Sequence, residues 1–312
     1  IFDVGLTLQN VNFKSGGNSI NAHNTTLDYI NAGFRLCPGL GFSFGFIPFS
    51  SIGYNFSESK YLDDHFNSGS TMTYTNSYTG DGGLHEVYVG LGWNPFADLS
   101  IGANFGYVWG NYAQNITQTF YENGTATSAS NGLRRQIDAD LSSYKIDIGI
   151  QYPIQLGKND VLTPGITYGI GHAINSPAHY YSYVANGDTT KSVIEKAFEL
   201  PTSFGVGLAW AHKEQWKVGL DVTHQRWGEC RVPQIINDKF VSTTENYMNR
   251  TKIVIGGEFQ PDRYSSKYLR RVQYRMGASF STPYYKVNGH NGPREFGVTA
   301  GFALPVSNNI NN

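Results

Sequence analysis

Few residues in this chain are placed to do chemistry. Gly41-Phe42-Ser43-Phe44-Gly45 matches GxSxG, the pattern that lifts a nucleophilic serine onto a strained strand-to-helix turn. Here Ser43 sits inside an alternation of Leu40, Phe42, Phe44 and Phe46 with Gly41, Ser43 and Gly45, so a strand runs through it and the match is accidental. The eight histidines are scattered, and His85-Glu86, His212 and His224 form no ligand spacing. No HExxH, CxxC, P-loop or dinucleotide fingerprint occurs. No catalytic residue, metal site or cofactor is therefore expected, and the chain reads as a non-enzyme. Cys37 falls in a tight turn and Cys230 in a long segment at the opposite end, so two free thiols are expected.

The charged residues suggest a wet interior. Arg35, Lys145, Lys217, Lys252 and Arg275 share the small-residue face of their strands with Glu86, Asp147, Asp221, Glu258 and Glu295. A strongly ion-selective pore shows one dominant sign. This mixture predicts pairs formed across a lumen or around a plug. Pro48 matters for another reason: it removes a ladder donor from the run 40–56, and proline in a sheet belongs at edges and bulges. The strand must kink there, either as an ordinary bulge or as a sideways exit beside Phe49.

The elements that carry these residues follow from a period of two. Phe204, Val206, Leu208 and Trp210 alternate with glycine and alanine, His212–Gln215 reverses the chain, and Trp216, Val218, Leu220 and Val222 alternate with Lys217, Gly219, Asp221 and Thr223. That is an antiparallel hairpin with one bulky apolar face and one polar face. The alternation recurs in 27–36, 40–46, 86–93, 99–109, 145–152, 252–258, 273–280 and 295–304. It fits a soluble sandwich or a membrane barrel with lipid outside and water within.

The connections favour the barrel. Tight turns at 37–39, 94–97, 156–159 and 212–214 alternate with long polar segments at 14–24, 57–83, 122–135, 175–191 and 229–246. Outer-membrane barrels put short turns at one end and long loops at the other. One pair departs from this: the turn at 260–270 is longer than the loop at 287–293. Trp93, Tyr107, Trp109, Tyr152, Trp210, Trp216 and Trp227 stand near strand ends, where aromatic girdles form. The segment 192–198 reads as strand, because its bulky residues share parity with Phe204. The expected fold is all-β: a single antiparallel up-and-down transmembrane barrel over 1–312, with about twelve strands.

Composition agrees. The 312 residues carry 23 Lys and Arg against 24 Asp and Glu, a balance that gives no reason to expect nucleic acid. No apolar run is long enough for a transmembrane helix, a test that barrels escape. Ile1 opens the sequence without a signal segment, and 307–312 reads as a turn, so both ends are expected to continue.

Three stretches then resemble one family. Glu199-Leu200-Pro201 before a glycine-rich strand, with Trp216–Trp227 after the turn, is similar to the mid-barrel of FadL-type outer-membrane transporters of hydrophobic compounds. INAGFRL at 30–36 and FGFIPFSSIGYNF at 44–56 resemble that family's second and third strands, and 272–306 resembles a divergent branch. The resemblance implies fourteen strands, an N-terminal plug with an Asn-Pro-Ala stretch that does not appear here, internal ligand pockets, and lateral release at a kinked third strand, where Pro48 falls. It implies an outer-membrane location, contact with lipids or detergent, and a small hydrophobic ligand. Some relatives serve instead as barrel subunits of secretion or assembly machines beside other outer-membrane proteins. Candidates for the ligand path are Pro48, Phe49, Phe120, Tyr121, Tyr180 and Tyr181, with Tyr183 beside them.

Overall fold

The computed structural model describes residues 1–305 except 16, 62–71, 97, 127–132, 185–186, 188, 237–238 and 288. The expected alternation becomes β1 (Phe2–Ser15), β2 (Asn18–Cys37), β3 (Leu40–Tyr61), β4 (Met72–Trp93), β5 (Ser100–Glu122) and β6 (Arg134–Gln151). Then follow β7 (Asp160–Gly169), β8 (His172–Ile174), β9 (Ala178–Tyr183), β10 (Thr190–Ile194), β11 (Phe198–Leu200), β12 (Ser203–His212) and β13 (Trp216–Gln225). The chain continues with β14 (Val232–Ile236), β15 (Lys239–Thr243), β16 (Arg250–Phe259), the short helix α1 (Tyr268–Arg271), β17 (Gln273–Ser281) and β18 (Glu295–Ala303). No helix is long and apolar enough to cross a membrane.

Twelve strands, β1–β7, β12, β13 and β16–β18, follow one another in one antiparallel sheet in chain order, the meander of an up-and-down barrel. Its curl brings Arg275 on β17 within electrostatic reach of Tyr29 on β2. The hairpin at the centre of the sequence reading is present, with Leu208 opposite Leu220 and Trp210 opposite Val218. Its apolar face points out, and Phe204, Leu208, Trp210, Trp216 and Val218 are all exposed. Trp93, Tyr107 and Tyr152 are also exposed, as girdle residues should be. Tight turns follow turn chemistry; Gly39, for example, takes a φ of 83° between β2 and β3.

The long polar segments need correction, because they are largely strand. β3 and β4 run on to Tyr61 and back from Met72, and the 14–24 loop narrows to a hairpin turn after Ser15. Above the lipid both faces of a strand meet water, so the two-residue alternation fades while the ladder continues. The 175–191 segment is likewise sheet. β7–β8–β9 pairs with β10–β11–β12 in one unbroken register, from Asp160 opposite His212, through His172 opposite Leu200, to Ser182 opposite Thr190. Within 192–198 the strand stops at Ile194 and resumes at Phe198. The 229–246 segment holds a separate hairpin, β14–β15. The closing 307–312 turn lies outside the described residues.

Candidate functional site

The outer half of the barrel is closed from within. Ala139 and Leu141 on β6 pack with Ile174, Ala178, Ala197 and Leu200, and Phe49, Leu84, Tyr112, Ile194, Phe198 and Phe240 pack against that cluster. Phe240, on the β14–β15 hairpin, stacks on Tyr180 at 5.2 Å, and Val232 to Ile235 of the same hairpin line the cavity beneath, so the hairpin acts as a partial lid over it. Tyr112 meets Phe198 edge-on at 5.4 Å.

Beneath the lid lies a cavity of about 710 Å³, within the size range of small-molecule sites. Its walls combine aromatic rings (Phe49, Tyr112, Phe198, Trp227, Tyr247, Tyr284) with amides such as Asn111, Gln114 and Gln234. Arg250 is fixed by Ser281 Oγ at 2.7 Å and Glu295 at 2.8 Å, and its guanidinium lies over the Tyr284 ring. Glu199 is held by Arg231 at 2.7 Å. Both charges are thus paired before any ligand arrives. Burial pushes the Tyr247 phenol up to about 12, with Tyr284 adding to the effect. Burial also pushes the nearby Cys230 thiol up to about 12, so it is an unreactive sulfur. Cys230 and Cys37 are both free, as expected.

Beside this cavity the wall changes. The β3–β4 ladder shifts by one residue between Pro48 and Ser50, leaving Phe49 as the extra residue, and Phe49 to Ile52 line the cavity. On the other side of β3, pairing with β2 ends at Ile30 opposite Phe46. Above that rung, Asn21–Tyr29 of β2 pairs with β1 alone, and Ile47–Tyr61 of β3 with β4. A seam therefore opens one residue before Pro48 on β3. Phe46, His85 and Trp109 gather in ring contact on the adjacent outer surface.

Of the six ligand-path candidates, only Phe49 lines the cavity, and Pro48 adjoins it. Tyr180 is buried under the lid and Tyr181 stacks with Tyr183. Phe120 and Tyr121 sit at the far end of β5, opposite Tyr74 and Thr73. Trp227 belongs to the cavity rather than the girdle, 5.3 Å from Tyr284. The sequence reading missed Tyr112, Tyr247, Tyr284 and Arg250, which stand in polar or short segments with no periodic signal, and read Phe198 only as part of a strand.

The lumen charges need a second correction: the ion pairs they form run along the wall. Glu86 on β4 reaches Lys145 on β6 at 3.6 Å by passing over Gly106, where any Cβ would collide with its carboxylate. Lys145 also pairs with Asp147. Glu258 on β16 accepts from Lys217 at 3.3 Å and Arg275 at 2.8 Å. Arg35 turns back to donate to Cys37 O. Neighbouring strands lie under 5 Å apart, whereas the lumen is much wider than a side chain is long. Below the cavity, a chamber of about 540 Å³ is lined by glycines with Asn104, Asp147, Thr167 and Asp221. No group of three His, Cys, Asp or Glu among the described residues is placed to hold a metal.

Comparison with curated proteins gives no match. Among solved structures, the chain is similar to the P. putida toluene transporter TodX, at 17% identity and a TM-score of 0.58 over 98% of this chain and 79% of that one. It is also similar to the CymD monoaromatic hydrocarbon channel, at 12% identity and a TM-score of 0.53 over 98% and 78%. Such identities establish the architecture, a FadL-type barrel. The BamG family matches residues 1–312, and the protein belongs to that family.

Proposed function

We propose that this barrel sits in the outer membrane and passively admits small hydrophobic or amphipathic molecules, holding them under the lid and releasing them sideways between β2 and β3. The observation that carries this reading is the closeness of three features along one short stretch of β3, from Phe46 to Ile52: the end of the β2–β3 ladder, the bulge at Phe49, and the cavity wall. Asp147 and Asp221 line the chamber below, so an apolar molecule meets less resistance sideways into lipid than downwards. The channels named above, which share the fold, are transport proteins.

The test is a staple. Tyr29→Cys with Ile47→Cys continues the Ile30–Phe46 register across the seam, on a Cys37→Ser background. Oxidation should cut toluene uptake by cells expressing the barrel about tenfold, and reductant should restore it. Equal uptake in both states eliminates the lateral route.

A second reading rests on the packed hairpin β14–β15, which lies over the cavity. In it the barrel is a non-transporting subunit bound to other outer-membrane proteins. It expects stoichiometric partner chains in the purified particle and no uptake in either redox state.

A further inference from the structure

The turn between β16 and β17 is unlike the other turns at that end. The others are tight, each adding little net charge: Asp98 in one, Lys158 in another, and Lys213 offset by Glu214 in a third. This one carries Arg263, Lys267, Arg270 and Arg271 against Asp262 alone. Among the described residues, none of those four cations is in an ion pair within the chain.

The turn is also folded. Asp262 N donates to Arg270 O at 2.9 Å and Gln260 Nε2 to Arg271 O at 2.8 Å, prolonging the hairpin past the last pair, Phe259–Tyr274. At ~3.3 Å per residue, the tip stands on the order of 10 Å beyond that pair, along the strands and away from the lipid belt. Arg271 lies over the Tyr268 ring, which stiffens α1. The tip then exposes large apolar side chains, above all Tyr264 at 82% and Leu269 at 71%. Joining two strands requires none of this.

We propose that this turn is a docking surface for an acidic segment of a periplasmic polypeptide that carries apolar side chains between its carboxylates. Charge complementarity supplies steering, and Tyr264 and Leu269 supply the apolar contact that phosphate headgroups would not need. The proposal rests on the reading above only for the side of the membrane it faces, and its assay runs in detergent, independent of uptake.

The probe is a short fluorescein-labelled peptide alternating glutamate with leucine, followed by anisotropy against the purified full chain. Arg263→Glu with Lys267→Glu and Arg270→Glu should weaken binding about tenfold or more. Tyr264→Ala with Leu269→Ala should weaken it by about threefold to tenfold, while Lys158→Glu with Lys213→Glu leaves it unchanged. Heat-modifiable gel migration checks folding, and if the reversal variant fails that check the alanine pair carries the test. The proposal is overturned by equal losses at the control turns or by indifference to the alanine pair. It is equally overturned if the peptide fails to bind while phosphatidylglycerol vesicles bind in a manner that depends on Arg263 and Arg270.

Discussion

The two halves of this barrel use one backbone pattern for opposite ends. In the lower half, bulky side chains point outward and the interior carries glycine with polar and paired charged side chains. In the upper half the bulk turns inward, where Leu141, Ile174, Leu200 and Phe49 form a dry core. The ladder is continuous through both halves on β4 and β5. What changes is the solvent on each face, and the comparison teaches that a strand's apolar side locates its least polar surroundings, not its interior.

The sharpest way to break the comparison is at the join. Gly110 on β5 lies so close to β4 that a Cβ would strike Gly83 O, whereas a Cβ on Gly92 meets nothing within 4 Å. Gly110→Val should prevent assembly, a cost above about 3 kcal/mol from backbone strain and collision. Gly92→Val should leave heat-modifiable migration intact. Equal behaviour of the two would show that the join is not tightly packed.

Next in size is a matched pair of truncations. Leu141→Ala empties space in the upper core and should cost about 2–5 kcal/mol in urea unfolding from liposomes. Leu208→Ala, on the lipid-facing side, leaves a gap that acyl chains fill and should cost clearly less. A larger loss at Leu208 would reverse the assignment of faces.

The smallest effect concerns pH. The folded chain holds the Tyr247 phenol above its ordinary value of 10, up to about 12, so it favours the protonated form. That contribution is present in full below pH 10 and is lost as pH rises through about 12. Trp227, 6.5 Å from Tyr247, should report it as a fluorescence change in that window while the strands below stay folded. A change beginning below pH 9 would point to another group.

The lower half was legible because lipid and water meet opposite faces of the same strand; Phe204 to Val222 could be assigned from spacing alone. Ser57 to Lys60 could not, since both faces of that stretch meet water and nothing alternates. Pro48 stands next to the β3–β4 register shift, and a missing donor is written in the residue type. The seam itself was not legible: how far two neighbours stay paired depends on where the wall bends. Trp227 misled, because a tryptophan beside a turn looks the same whether it meets lipid or tyrosines. The charged pairs were legible as a balanced set but not as partners, which depend on small neighbours such as Gly106 letting one side chain cross a strand.

The uneven ladders also have a mechanical meaning. β2 and β3 share seven paired residues, while β3 and β4 share twenty-one. Tension applied near Ile1 would peel the first hairpin away as a unit before stripping any other strand, so extraction should start with one early, low-force step.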